Sequence, residues 1–419
     1  SFTSSLPLDV AGSAAAAYGL RNLSSSYTGN VVEVRRSSDG NTQPFTAAEV
    51  ADGTLLSFVN DNIELFSNNF ETNTSGFNLN TAGTNTAVHN TSDGFSGSGC
   101  LQLNLTSSLN TFSTVRTNTY MQDTDGVTYT VSFYAKAVSG STNLVVKIGT
   151  VSDSQQQISF SENGGEWVKY SLTFVNNFGG GVGNRNQRIL FAGSTSDTTE
   201  WRIDDFQIVQ TTSNGFVKTW YDQSGNGNNA TQTESANQPK IVSAGALNAD
   251  GLLFDGTDDA LSAQVISTMD TGAVFYLFKS QSTSDNQLFE FNNGSVYGIS
   301  ATINSDSDGR LVASADASND SRNGPVFGAT GVTTNQKHLL SLILDSNTEI
   351  TTATIDGSSM SSGASPTGRF NVGTSRMSIG QRGDNNFSEE NSVSEVIIYD
   401  TNQSDKRRAI EESIATANG

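Results

Sequence analysis

From Leu65 to Gln210 the chain is built of short segments in which apolar and polar residues alternate, separated by clusters of turn formers. The segments are Leu101–Leu105, Tyr129–Lys136, Asn143–Ile148, Trp167–Phe174, Arg188–Ala192 and Trp201–Val209. Side chains of a strand point alternately to opposite faces, so this spacing buries one face and wets the other. Strands at such intervals, with turns between them, form sandwiches. Segments of the same kind return after Asn214: Leu252–Phe254, Ala273–Lys279, Leu288–Phe291, Leu339–Leu344, Thr351–Ile355, Met377–Ile379 and Ser394–Tyr399. The composition agrees, being rich in Ser, Thr and Asn with 40 Gly and 35% hydrophobic residues. Ser, Thr and Asn compete for helix backbone bonds and Gly weakens helix interiors. The chain is therefore predicted to be all-β.

Three stretches break the pattern. Ala14–Leu23, with its alanine run and apolar Tyr18, Leu20 and Leu23, predicts one brief helix ending in Ser24–Ser26. Thr46–Asn60 reads as a second short helical or mixed stretch. Ser404–Ala417 places Ile410 and Ile414 four apart among charges, the spacing of a short amphipathic helix.

The charge balance narrows the function classes. Lys and Arg number 22 against 42 Asp and Glu, a formal net charge of −20 on only 15% charged residues. Nucleic-acid binding by phosphate neutralisation needs a basic patch and is excluded. No apolar run approaches the ~18–20 residues of a membrane helix, so no membrane insertion is expected. Cys100 alone permits no disulfide framework, and His89 and His338 no multi-histidine metal site. Cys100 reads as a small buried hydrophobe, and the two histidines as incidental surface or strand residues. Ser1-Phe2-Thr3 opens no secretory leader, which fits a cytoplasmic product and a matured chain equally.

Two stretches carry a resemblance. Ala17–Arg21 through Tyr27-Thr28-Gly29, then Val34–Gly40, resemble the opening of the α-L-arabinofuranosidase B catalytic module. Trp220–Asn229, with its Tyr-Asp-Gln-Ser-Gly-Asn-Gly-Asn core, resembles the same family's signature. The pair recurs in concanavalin-A-like (laminin-G-like) modules of phage virion and tail-fibre proteins. Phe254–Asp259, Ser394–Asp400, Gln403–Asp405 and Ile410-Glu411 are also similar to those modules. In such relatives Phe-Val leads almost directly into the signature, whereas about 150 residues here separate Val59 from Gly215. The intervening stretch reads as a domain inserted in a loop. It resembles the jelly-roll carbohydrate-binding modules found beside bacterial glycanases, through Asn69-Phe70-Glu71, Tyr129–Ala137, Glu166–Tyr170 and Ile203–Phe206. The expected architecture is a concanavalin-A-like β-sandwich over 1–60 and 213–419, interrupted by a β-jelly-roll domain over 61–212.

The resemblance also nominates chemistry. Retaining glycosidases need two carboxyls about 5–5.5 Å apart. The family's acid/base lies in a Gly-Gly-Asp-Asn string that Arg382-Gly383-Asp384-Asn385 resembles, which gives Asp384 that place. The nucleophile's place falls near Ser295, and no carboxylate follows before Asp306. Glu290, between Phe289 and Phe291, either substitutes or lies on a solvated strand face. The incomplete pair implies a site without catalysis.

In the jelly-roll modules a structural calcium sits between the first and last strands, implying Glu71 with Asp204 or Asp205 as ligands. The Asp255–Asp259 loop is acidic enough for a second calcium, although turn chemistry explains it as well. For carbohydrate binding, the candidate platform is Trp167, Tyr134 and Tyr120, with Tyr170 and Trp201 as further rings. Trp167 more often serves as core in this module type. Asp222 reads as a turn residue, and one of Trp220 and Tyr221 as core. The likeness to phage modules implies a virion structural or appendage protein, a tail fibre or capsid decoration. Such a protein would sit on the virion surface as a homo-oligomer, contacting other virion proteins and host-surface glycans. The alternatives are an arabinofuranosidase-like glycoside hydrolase with an attached binding module, and a secreted or bacterial cell-surface adhesin.

Overall fold

The structure is a computed structural model that describes residues 5–61, 63–78, 86–105, 115–117, 128–139, 143–149, 154–161, 164–175, 188–193, 199–266, 271–281, 286–292, 297–304, 310–315, 327–329, 332–344, 350–362, 375–380 and 390–418. The protein is all-β, with antiparallel pairing throughout and a few short helices. It divides into two compact units, Ser1–Val59 with Asn214–Gly419, and Asn60–Ser213. Among the described residues, no helix is long and apolar enough to cross a membrane.

In the first unit Gly272–Ser280 is the central strand of one layer. It pairs with Glu390–Tyr399 and Lys337–Leu344, and the last of these with Ile350–Ile355. Alternation sorts its side chains between two cores. Val274, Tyr276 and Phe278 enter the sandwich core, while Ala273, Phe275 and Leu277 face a second apolar layer. That second layer is closed by Leu8 and Ala11 of the helix Pro7–Ala11 and by Ile410 and Ile414 of the helix Arg407–Asn418. The opposing layer runs from Asn30–Arg36 through Gly215–Trp220, and from Leu261–Ile266 through Ser375–Ile379 to Asn286–Asn292.

One expectation is corrected here. Ala14–Leu23 forms no helix: Ala16–Gly19 is a strand paired with Ile398 to Glu395. Ala16 and Tyr18 pack into the sandwich core and Ala17 into the other layer. Successive residues can face opposite layers only in a strand, so tertiary pairing overrides the alanine propensity. The Thr46–Asn60 stretch does contain helices, Ala47–Ala51 and Thr54–Val59. The first of them is started by a reciprocal Thr46–Glu49 capping box.

The second unit is a jelly-roll sandwich of two sheets. The five-stranded sheet runs Ser154–Phe160, Leu144–Gly149, Arg188–Gly193, Val115–Thr117, Phe77–Asn78. The six-stranded sheet runs Val168–Val175, Thr128–Ser139, Thr199–Gln210, Cys100–Leu105, Thr86–Asn90, with Ile63–Asn68 also paired to Thr199–Gln210. Burial along Thr128–Ser139 alternates, so Tyr129, Val131, Phe133 and Ala135 enter the core while Ser132, Tyr134 and Lys136 face outward. Trp201, Phe133, Phe191 and Phe206 fill that core completely enough to be fully buried.

Candidate functional site

The signature around Asp222 is built as a structural knot. Asp222 is buried and accepts from Ala17 N (2.9 Å), Ser224 N (2.9 Å), Asn228 N (3.0 Å) and Ser224 Oγ (2.7 Å). Gln223 accepts from Leu23 N at 2.9 Å and donates to the carbonyls of Gly19 and Arg21. Together they fasten the strand Ala16–Gly19 to the loop, with Trp220 buried and Tyr221 half-exposed. No oxygen of Asp222 is left aimed at solvent, which matches the turn-residue reading.

The second unit holds a different arrangement. The loop from Asp93 to Gly99 folds over the outer face of the six-stranded sheet and is gripped by two carboxylates. Glu71 Oε1 accepts from Gly99 N (3.0 Å) and Oε2 from Ser98 N (3.2 Å). Asp204 Oδ2 accepts from Phe95 N (2.7 Å) and Ser96 N (3.1 Å), and Oδ1 from Asp205 N (2.7 Å). Those backbone bonds hold the Glu71 carboxyl below its ordinary value. Burial pushes Asp204 up, against the pull of its N–H donors. Asp205 sits at a pairing irregularity with φ +46° and accepts from Ser96 Oγ at 2.9 Å. The in-out alternation of the strand is therefore broken by a bulge between Asp204 and Gln207. The loop's glycines leave room for this grip. A Cβ on Gly97 would lie 2.4 Å from Glu71 Oε1, and one on Gly99 would lie 2.0 Å from the Phe70 carbonyl oxygen.

The gripped loop delivers two side chains to the sheet. Asp93 bonds Lys136 Nζ through both oxygens (2.7 and 2.8 Å) and also pairs with Arg202, which reaches Glu200 at 3.1 Å. Phe95 stacks on Tyr134, with ring centroids 3.6 Å apart and planes at 14°, and meets Trp167 edge-on at 6.0 Å. Lys136 Nζ lies 5.1 Å from the Trp167 ring centre. Phe95 is 42% exposed, unusual for a ring this size. Val88, Gln102, Arg202 and Lys136 lie in register across the same face, as do Thr86, Asn104 and Glu200. Asn90 Nδ2 donates to Gln102 Oε1 at 2.7 Å, and Asn104 Nδ2 to Thr86 Oγ1 at 3.2 Å. An exposed ring flanked by amides and charged groups can pack a flat apolar ring face while bonding its hydroxyls.

Of the rings nominated from sequence, the structure brings together Trp167 and Tyr134. Tyr120 lies outside the described residues, as does Asp384. Trp167 is half-exposed at the platform edge and not core, whereas Trp201 is wholly core and Tyr170 packs against the core. Sequence reasoning missed Phe95, although one aromatic inside Asp93-Gly94-Phe95-Ser96-Gly97-Ser98-Gly99 was a usable signal. Glu290 is buried at 3% exposure between Phe289 and Phe291, so it does not sit on a solvated face. His338 is a strand residue of Lys337–Leu344, buried and not on the surface, with Nδ1 2.7 Å from Asp356 Oδ2 and its pKa raised chiefly by that bond. Cys100 is buried, and burial pushes its thiol up to about 11.

Among the described residues, one set of three acidic groups gathers, Asp255, Asp258 and Asp259, with ligand atoms within 4.8 Å of one another. Asp259 is buried and accepts from Asp255 N at 3.0 Å. Burial and the neighbouring Asp255 push its carboxyl up to about 7.

Residues 64–198 match the family model described as a carbohydrate binding domain. No curated protein sequence matches the chain. Among solved structures, the chain is similar to the CBM22-1 xylan-binding domain of Paenibacillus barcinonensis Xyn10C, at 17% identity over 36% of this chain and 96% of that one, TM-score 0.26. It is similar to the C-terminal family 22 carbohydrate binding module of Clostridium thermocellum Xyn10B, at 16% identity over 35% and 93%, TM-score 0.27. It is also similar to an arabinofuranosidase complexed with arabinofuranosyl-α-1,2-xylobiose, at 12% identity over 98% and 65%, TM-score 0.44.

Proposed function

We propose that residues 60–213 bind a glycan on the outer face of the six-stranded sheet, with Phe95 and Trp167 as the stacking rings. The amides of Asn90, Gln102 and Asn104 are the candidate partners for sugar hydroxyls. The observation that carries this reading is the exposed Phe95, stacked on Tyr134 and set edge-on to Trp167. The carbohydrate-binding family match over 64–198 supports it. On a glycan array, wild-type protein is expected to retain at least one oligosaccharide. Phe95→Ala should weaken that binding by about 10–100-fold, as the loss of a stacking ring would, with little change in melting temperature. Undiminished binding by Phe95→Ala would overturn the assignment.

A calcium ion held by Glu71 with Asp204 or Asp205 is a proposal carried by the resemblance to the jelly-roll modules. The oxygens of Glu71 and Asp204 accept backbone N–H groups of the loop, and the acidic groups that gather within 4.8 Å of one another among the described residues are Asp255, Asp258 and Asp259. An ion bound at Glu71 would displace those N–H contacts, staple the loop and take no part in chemistry.

In this reading the protein contacts glycans without cleaving them. The support is the sequence, in which no carboxylate follows the nucleophile's place near Ser295 before Asp306. The finer placement, on the surface of a virion as a homo-oligomeric tail fibre or capsid decoration meeting host glycans, rests on the Phe254–Asp259 and Ser394–Asp400 resemblance. Capsid and tail genes beside its own are expected. Glycan-utilisation genes there would remove the virion placement and leave the binding face untouched.

A further inference from the structure

The binding face carries charge that stacking and hydroxyl recognition leave unused. Three of the seven Lys and Arg residues between 60 and 213, namely Lys136, Lys169 and Arg202, stand around the ring cluster of a strongly acidic protein. Asp93 and Glu200 occupy Lys136 and Arg202. Lys169 is different. It is exposed, its Nζ lies 5.8 Å from the Tyr134 ring centre, and among the described residues it has no carboxylate partner. Its backbone is paired with Tyr134, so the sheet itself fixes this cation beside the Phe95–Tyr134 stack. Glu166, exposed and next to Trp167, forms no ion pair with it.

We infer that the sugar taken by this face carries a carboxylate, as a uronic acid does, and that Lys169 is the residue that selects it. The inference rests on the glycan reading above. A compact ammonium with three donors suits one carboxylate at a ring's edge. The ring face would lie on Phe95 while the acid reaches the one cation of the cluster that has no carboxylate of its own. Lys136 and Arg202 keep the loop in place through Asp93 and so act as positioning residues.

The test titrates the intact protein with matched pairs of oligosaccharides: oligogalacturonates against their methyl esters, and glucuronoxylan against unsubstituted xylan fragments. The acidic member of at least one pair should bind about 10-fold more tightly than its neutral partner, the effect of one charge-assisted contact. Lys169→Met should erase that preference with neutral binding and melting temperature unchanged, and Lys169→Arg should restore most of it. Neutral members binding as well as acidic ones would overturn the inference and leave the glycan reading standing. An acid preference that survives in Lys169→Met would overturn the role of Lys169. Binding to neither member of any pair would take down both readings.

Discussion

Asp222 shows how one side chain can tie together distant parts of a chain. Its four accepted hydrogen bonds include one from Ala17, 205 positions away. Alanine there would strand buried N–H groups, each costing about 1–3 kcal/mol. Asp222→Ala is therefore expected to lower the unfolding free energy of the sandwich unit by about 3–5 kcal/mol in urea titrations. A loss under about 1 kcal/mol would mean the knot is redundant. The local part of this role was legible in sequence, because Asp-x-Ser-Gly strings cap their own turns. The partner strand was not, because nothing in a linear string encodes a contact at that separation.

Asp259 carries the pH prediction. Its folded carboxyl titrates at about 7, raised above the ~3.9 of an unfolded aspartate. The folded state therefore binds this proton more tightly. Its stabilisation is full below about pH 4 and is lost as pH rises through 7. Wild-type protein should gain up to a few kcal/mol on going from about pH 8 to pH 5, relative to Asp259→Asn, which should lack that component. Parallel pH profiles for the two proteins would refute the shift.

The loop from Asp93 to Gly99 depends on a small number of bonds. Glu71→Ala frees the N–H groups of Ser98 and Gly99 and should loosen the seat of Phe95, costing about 10-fold in glycan affinity while the sheet remains folded. Gly99→Ala should do more damage, because its new methyl would meet backbone and not a yielding side chain. Calcium would raise the melting temperature of wild-type protein by several degrees and of Glu71→Ala by none. Equal melting with calcium and with chelator would show that N–H donors alone hold the loop. This segment was only half legible. Glu71 and the Asp204-Asp205 pair were visible by resemblance, but the bulge that turns Asp205 and the fold-back that carries Phe95 were not. The Ala14–Leu23 stretch failed for the opposite reason: local propensity spoke for a helix, and pairing with Glu390–Tyr399 outweighed it.

The division into two units gives the largest prediction. The chain leaves the sandwich after Val59 and returns at Asn214. The two ends of the inserted unit are tied to each other, since Ser213 N donates to Asn60 Oδ1 at 3.2 Å. Thr128 N also donates to Thr212 Oγ1 at 2.7 Å, and Thr211 N to the Thr128 carbonyl at 2.8 Å. The unit has its own core, from Phe70 to Ile208, with none of its members drawn from the sandwich. A sequence of about 150 residues with such a core buries enough surface to fold alone. Residues 60–213 expressed by themselves should therefore unfold in one cooperative transition. They should also keep the glycan affinity of the intact protein within about 2-fold, since every residue of the proposed face lies between Glu71 and Asp205. Calorimetry of the intact chain should then show two transitions, and a saturating glycan should shift only the one that matches the isolated fragment. A fragment that folds but does not bind would place part of the recognition in the sandwich. A glycan that shifts both transitions would mean that the two units respond as one.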